Sequence, residues 1–133
     1  MSNSIRELKV TMVTSDIEDA GSDAGFFLEF HQHNPKKSIQ MPNLPHDERE
    51  AGATDTYRIL DPDLKIEDFE QGYVRLRNDN TGNKPGWYCK SLFITAIDED
   101  GNDHSLVDMP DVHRWLAASE PAGLEMVLDI SNQ

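Results

Sequence analysis

The sequence predicts an all-β fold, an eight-stranded antiparallel β-sandwich of two four-stranded sheets. Three observations predict it. Apolar residues recur at every second position through short runs, as in Leu8, Val10 and Met12 or Leu124, Met126, Leu128 and Ile130, which is the pattern of a half-buried strand. Turn-forming Gly, Pro, Asn and Asp break these runs at fairly regular spacing. No stretch sustains the 3.6-residue period of a helix. Each run is apolar on one face only, so two sheets must cover one another. A chain of 133 residues suits a single domain, 1–133, with one core.

The elements follow in order. Leu8, Val10 and Met12 alternate with Lys9, Thr11 and Val13 and make the first strand. A polar loop from Thr14 to Asp23 leads to a second strand through Phe26, Leu28 and Phe30. His31 to Lys37 is a turn that Asn34-Pro35 favours, and Ser38 to Met41 is a short edge strand. Pro42 to Gly52 is a loop carrying Asp47, Glu48 and Glu50. Thr54 to Leu60 is a strand with Tyr57 and Ile59 inward. Asp61 to Phe69 is a turn or a single helical turn, since Pro62 opposes anything longer. Gly72 to Arg77 and Lys90 to Ile97 are strands joined by the oxygen-rich loop Asn78 to Trp87, with both Trp87 and Trp115 assigned to the core. Asp98 to Asn102 carries a hairpin signal with Gly101 at its turn, and His104 to Asp108 is the strand after it. Asp111 to Ala118 is either a strand or a turn of helix, and a strand over 123–131 closes the chain.

Composition narrows the partners. Twenty-five acidic and 12 basic residues give a formal net charge of −13, which repels phosphate backbones and excludes unassisted nucleic-acid binding. The same charge opposes anionic membranes unless a divalent cation inverts it locally. Cys89 is the only cysteine, so there is no internal disulfide and no cysteine zinc site. Its Trp87-Tyr88-Cys89 setting fits a small buried hydrophobe rather than a nucleophile. The first residues carry no apolar leader pattern; a cytoplasmic location is the expectation, or an extracellular one if a leader has been removed.

Four pieces in the right order resemble the PLAT domain, also called the lipoxygenase homology or LH2 domain. Asp19-Ala20-Gly21-Ser22-Asp23-Ala24 is similar to that family's Gly-Ala-Gly-Thr-Asp-Ala loop. Gly52-Ala53-Thr54-Asp55-Thr56-Tyr57 resembles its Gly-Ser-Thr-Asp-Thr-Phe strand start. Val74-Arg75-Leu76-Arg77-Asn78-Asp79-Asn80-Thr81-Gly82, then Pro85-Gly86-Trp87-Tyr88, resembles its Ile-Arg-Ile-Arg-His-Asp-Asn-Ser-Gly and Pro-Asp-Trp-Phe. His113-Arg114-Trp115-Leu116 is similar to its Asn-Arg-Trp-Leu. The resemblance runs over about 8–116. Asp61 to Asp68 is similar also to a segment of the C-terminal membrane-binding domain of clostridial phospholipase C toxins.

The resemblance implies a non-catalytic module that docks on a membrane lipid surface or a protein partner, in several members with calcium and with no covalent cofactor. Calcium takes six to eight hard oxygens, which acidic loops with free carbonyls supply. By the family pattern Asp19 gives a carboxylate and Gly21 and Ser22 give backbone oxygens. The loop before Gly52 adds Asp47 or Glu48, and Asn43. One position departs: the family's Pro-Asp-Trp carboxylate is Gly86 here, which keeps a carbonyl but no charge. Asp79 stands near enough in sequence to substitute. The departure leaves open a second function, a protein-interaction or structural module without calcium or lipid.

Other residues carry less. Asp19 suits a ligand and a turn cap alike, whereas Asp23 and Asp55 suit strand-start caps that bond to backbone. His31 and His33 share a strand face at a zinc-compatible spacing, but no third ligand accompanies them. No phosphate loop, nucleophile elbow or His-Glu-x-x-His motif is present, and carboxylates in so acidic a chain do not by themselves indicate acid–base chemistry.

Overall fold

Among the described residues the chain forms nine strands and one short helix: β1 (Ile5–Thr14), β2 (Phe26–Phe30), β3 (Lys37–Gln40), β4 (Thr54–Leu60), α1 (Ile66–Glu70), β5 (Val74–Asn78), β6 (Trp87–Asp98), β7 (Asp103–Met109), β8 (Arg114–Leu116) and β9 (Glu125–Val127). This computed structural model describes residues 4–17, 21, 25–30, 37–41, 51–70, 74–81, 86–117 and 123–130. All pairings among the described residues are antiparallel. One sheet runs β4-β1-β6-β7 with β8 also on β6, and the other runs β3-β2-β5-β9.

The architecture is the expected sandwich, with five strands in one sheet and four in the other among the described residues. The fifth strand is β8. Asp111 to Ala118 allowed strand or helix, and three of its residues pair with Trp87–Cys89 of β6. β6 is twelve residues long, so one edge of it serves β8 near its start and β7 further along. The sequence reading began this strand at Lys90; pairing with β8 extends it back to Trp87. β9 is shorter than the alternation from Leu124 to Ile130 suggested. Its three residues pair with β5, while Ile130 forms an isolated bridge to Val107.

Alternation dictates the core. Leu8, Val10 and Met12 of β1, Tyr57 of β4, Trp87, Leu92 and Ile94 of β6 meet Phe26, Leu28 and Phe30 of β2 and Leu76 of β5, all buried. Each such side chain contributes roughly 1.5–3 kcal/mol through removal from water. Cys89 is buried among them, and burial pushes its thiol up to about 12, consistent with a packing role. Asp55 is also buried, at the second residue of β4.

The two sheets are pinned by aromatics. Phe26 meets Trp87 edge to face at 5.2 Å between ring centres, and Phe30 meets Phe69 of α1 at 5.0 Å, the geometry that ring quadrupoles favour. At the start of α1 Lys65 donates its amide to the Asp68 carboxylate at 2.8 Å, which closes the first turn, and the helix carries Phe69 inward.

Trp115 differs from the sequence expectation. It is half-exposed, outward on β8, and stacks edge to face on Tyr88 at 5.3 Å. Leu116 beside it is the buried residue, and in a strand two neighbours cannot both face inward.

Between β6 and β7 the hairpin is held by Asp98, as its signal anticipated. The Asp98 Oδ1 accepts the amides of Asp100 and Asn102, each at 2.9 Å, and Gly101 takes φ 87°. The Asp98 Oδ2 stands 2.8 Å from His104 Nε2. That His104 hydrogen bond, with the Asn102 amide, holds the Asp98 carboxyl below its ordinary 3.8 against the opposing effect of burial. Across β1 and β4, the Arg58 guanidinium paired with Glu7 holds the glutamate below its ordinary 4.5. A carboxylate depressed on folding contributes stability above its unfolded pKa and loses it as pH falls through the folded value. Urea midpoints should therefore hold from pH 7 to about 5 and fall below about 4, with Asp98→Asn falling less steeply than wild type. An equal acid slope in the two proteins would count against Asp98.

Candidate functional site

The candidate site lies at one end of the sandwich, where β1, β3, β5 and β8 finish and β2, β4, β6 and β9 begin. Inter-sheet contacts place these termini together: Phe26 opens β2 against Trp87, which opens β6, and Asn78 closes β5 with its Nδ2 donating to the Leu116 carbonyl at 3.0 Å. Next to them the Trp87 indole Nε1 donates to Thr14 Oγ1 at 2.7 Å. Thr14 faces inward after a register shift at Val13 that brings it opposite Cys89, so the end of β1 is tied to the start of β6.

The root of each loop is fixed by backbone bonds. Ser15 donates its amide to the Tyr88 carbonyl at 3.2 Å and accepts the Gly52 amide at 3.0 Å. Gly52 takes φ 77°, a left-handed turn that glycine adopts without a Cβ penalty. Met41 donates to the Phe26 carbonyl at 2.8 Å, and Asn78 to the Leu124 carbonyl at 2.9 Å.

Of the eight residues expected around calcium, three are described. Asp79 follows β5 and turns back on its own chain. Its Oδ1 accepts the Gly25 amide at 2.9 Å, the Thr81 amide at 3.1 Å and the Thr81 hydroxyl at 2.6 Å. Asp79 in turn donates its amide to the Gly25 carbonyl at 2.9 Å. Burial works to raise this carboxyl, but the Thr81 hydroxyl, the Thr81 and Gly25 amides and the Arg77 charge outweigh it and hold it below its ordinary 3.8. Gly86 stands just before β6, where a Cβ would lie 3.3 Å from Ala117 Cβ and 3.9 Å from the Trp115 ring. An aspartate there would need Ala117 to give way, which links the missing carboxylate to a local packing choice. Gly21 is half-buried.

Asp19, Ser22, Asn43, Asp47 and Glu48 lie outside the described residues, as do Asp23, His31, His33 and His46. The structure brings Asp79 against Gly25 and Gly86 against Ala117 and Trp115. Among the described residues no group of three His, Cys, Asp or Glu converges tightly enough to hold a metal ion. Asp79 and Gly86 therefore do not form a calcium site by themselves, since one spends an oxygen on three donors and the other offers only a carbonyl.

Sequence reasoning missed two features of this end. Gly25 and Thr81 partner Asp79, and the Asp-x-Thr spacing is the signature of a side chain that caps its own turn. The second is apolar exposure: Ile17 is 43% exposed, two residues beyond the Ser15 that bonds to Tyr88. The Tyr88–Trp115 pair stands half-exposed on the outer face at the same end of the sheet, and alternation from Leu116 was the signal that would have found it.

Comparison with known proteins matches this picture. A family profile described as the PLAT/LH2 domain matches residues 8–128, which takes in the closing strand as well as the four motifs. Lipoxygenase homology domain-containing protein 1 of Mus musculus is 28% identical over 120 residues, covering 86% of this chain and 5% of that protein. The Homo sapiens protein of the same name matches to the same extent. The chain thus spans only a small part of the length of these relatives. Among solved structures, the alpha toxin of Clostridium absonum superposes with a TM-score of 0.72 at 19% identity, covering 96% of this chain and 32% of the toxin. A coral 8R-lipoxygenase, described as calcium-activated through a C2-like domain, superposes with a TM-score of 0.64 at 21% identity, over 93% of this chain and 17% of the enzyme. At these identities the structural likeness concerns the fold, whereas the profile spans nearly the whole chain: the protein belongs to the PLAT/LH2 domain family.

Proposed function

We propose that this chain is a non-catalytic binding module that docks on a membrane lipid surface through its loop end, assisted by calcium. What carries the reading is the exposure of Ile17 together with the half-exposed Tyr88 and Trp115, at the end of the sandwich where β1 finishes and β6 begins. Apolar and aromatic side chains of this kind gain by entering a bilayer interface. A net charge of −13 would otherwise be repelled by an anionic surface, and a bound divalent cation reverses that repulsion where the contact forms.

The oxygens for calcium come, in this reading, from the Asp19, Asp47 and Glu48 carboxylates, with Gly21, Ser22, Asn43 and the Gly86 carbonyl completing the shell. With Gly86 uncharged, the affinity falls in the weak range of about 10⁻⁵–10⁻³ M. Calcium supplies charge and bridging there; the chain supplies the oxygens and the apolar contact. The calcium-activated coral enzyme and the alpha toxin that share the fold support the reading without deciding it.

Vesicle flotation tests it. With phosphatidylcholine–phosphatidylserine vesicles and millimolar calcium the protein should float, and with chelator it should stay at the bottom of the gradient. Ile17→Asp should weaken flotation by about tenfold, through loss of apolar burial and added repulsion. No flotation under either condition would remove the lipid reading. Gly86 favours the alternative, a protein-interaction module without calcium or lipid, which predicts recovery of one stoichiometric partner whether or not chelator is present.

A further inference from the structure

We propose that Asp79 is a positioning residue of the loop end, holding the entrance of β2 to the exit of β5, rather than a calcium ligand. The inference rests on the calcium-assisted docking reading, and it changes which residues of the motif do the binding. The geometry is specific. One carboxylate oxygen, Oδ1, receives three donors from two chain segments: Gly25 N at 2.9 Å, Thr81 N at 3.1 Å and Thr81 Oγ1 at 2.6 Å. The main chain closes the ring, with Asp79 N donating to the Gly25 carbonyl at 2.9 Å.

The carboxylate also lies close against Gly25. A Cβ built on Gly25 would stand 2.5 Å from Asp79 Oδ2 and 3.2 Å from its carboxyl carbon. The carboxylate therefore occupies the space that a side chain at this position would take. Gly25 does not take a positive φ, so what this glycine provides is the close approach. A second tie lies next to the first. Asn80, at φ 60°, donates its amide to Asn78 Oδ1 at 2.8 Å, and Asn78 Nδ2 reaches the Leu116 carbonyl of the opposite sheet.

The consequence is positional. Gly25 follows residues 18–24 and Thr81 precedes residues 82–85 in the sequence, so the Asp79 clasp fixes the point where the chain that carries Asp19 and Ser22 enters β2 next to the point where the chain leaves β5 toward Gly86. A ligand set shared between loops binds more tightly when its roots are held in place, because less ordering is left to the binding step. The carboxylate also retains its charge, which strengthens bonds from neutral amides.

Three variants separate positioning from ligation: Asp79→Asn, which keeps an oxygen acceptor, Asp79→Ala, which removes it, and Gly25→Ala, which leaves Asp79 in place but drives a Cβ into its carboxylate. Calorimetric titration with calcium chloride should show Asp79→Asn within about threefold of wild type. Asp79→Ala and Gly25→Ala should each weaken binding about tenfold, which corresponds to about 1.4 kcal/mol, at unchanged stoichiometry. Asp79→Asn abolishing calcium binding with an unaltered melting temperature in chelator, while Gly25→Ala binds as wild type, would overturn the proposal. If the wild type takes up no calcium, the docking reading fails on its own and amide hydrogen exchange decides the clasp. The Gly25 and Thr81 amides should then lose protection in Asp79→Ala and keep it in Asp79→Asn; equal protection in wild type and Asp79→Ala would overturn the clasp.

Discussion

Replacing Trp87 with alanine is expected to lower the stability of the domain by about 3–5 kcal/mol, the range for deleting a buried aromatic side chain. Few single changes in this fold should cost more. Trp87 is fully buried and meets Phe26 edge to face across the sheets. Its indole also holds Thr14 through a 2.7 Å hydrogen bond. Alanine would leave a cavity between the sheets and strand the Thr14 hydroxyl. Trp87→Phe divides these contributions: it keeps a ring for Phe26 to pack against but removes the donor, at about 1–3 kcal/mol. Adding Thr14→Val to Trp87→Phe should recover part of that loss, because an apolar pair leaves no buried group unsatisfied. Guanidinium titrations of wild type, Trp87→Ala, Trp87→Phe, Thr14→Val and the Trp87→Phe/Thr14→Val double variant check all of this. Strict additivity of the two changes would show that the hydrogen bond contributes nothing.

The second large effect is expected from a change of one atom. Asn78→Asp keeps the shape of the side chain but replaces the Nδ2 donor with an oxygen. That oxygen would face the Leu116 carbonyl 3.0 Å away in a buried setting. Two acceptors that close, without water, repel, and the carbonyl loses its donor; the loss should be about 2–3 kcal/mol, more if the new carboxyl stays ionised. The same residue accepts the Asn80 amide through Oδ1, a bond that aspartate preserves, so the variant isolates the tie between the sheets. A melting temperature within a degree of wild type at pH 7 would show that this tie is not needed.

The fold was legible where one face of a strand is apolar and the other is not. β1, β2, β4 and the centre of β6 stood out because Val10, Phe26, Tyr57 and Ile94 each alternate with exposed or half-exposed neighbours. β8 was less legible. Three residues are too few to show a period, and its pairing depends on β6 running back to Trp87, a fact of tertiary structure. The same shortness hid the direction of Trp115. A large aromatic suggests burial, but the buried Leu116 next to it determines the face.

The site was legible in outline and not in roles. Motif order placed Asp79 and Gly86 near a common loop, yet their neighbours are different. Asp79 is occupied by Gly25, which lies fifty-four positions away along the chain, and no local pattern announces such a partner. Gly86 is set against Ala117 and Trp115, so the absence of a carboxylate has a packing counterpart that only the folded chain displays. The Asp98 hairpin is the opposite case, since its donors at Asp100 and Asn102 are sequence neighbours and its turn signal was read directly.

The two tryptophans of this chain sit in contrasting surroundings. Trp87 is sealed between the sheets with its indole nitrogen bonded, and Trp115 is half-exposed beside Tyr88 at the loop end. The molecule therefore carries two optical reporters in one polypeptide. Trp87 emits from an apolar, quencher-inaccessible setting and follows global unfolding. Trp115, being half-exposed, should emit at longer wavelength, within reach of a neutral quencher such as acrylamide, and sense whatever approaches the loops. A Trp115→Phe protein silences the second signal and leaves the first, so surface docking and unfolding can be followed separately without any attached dye.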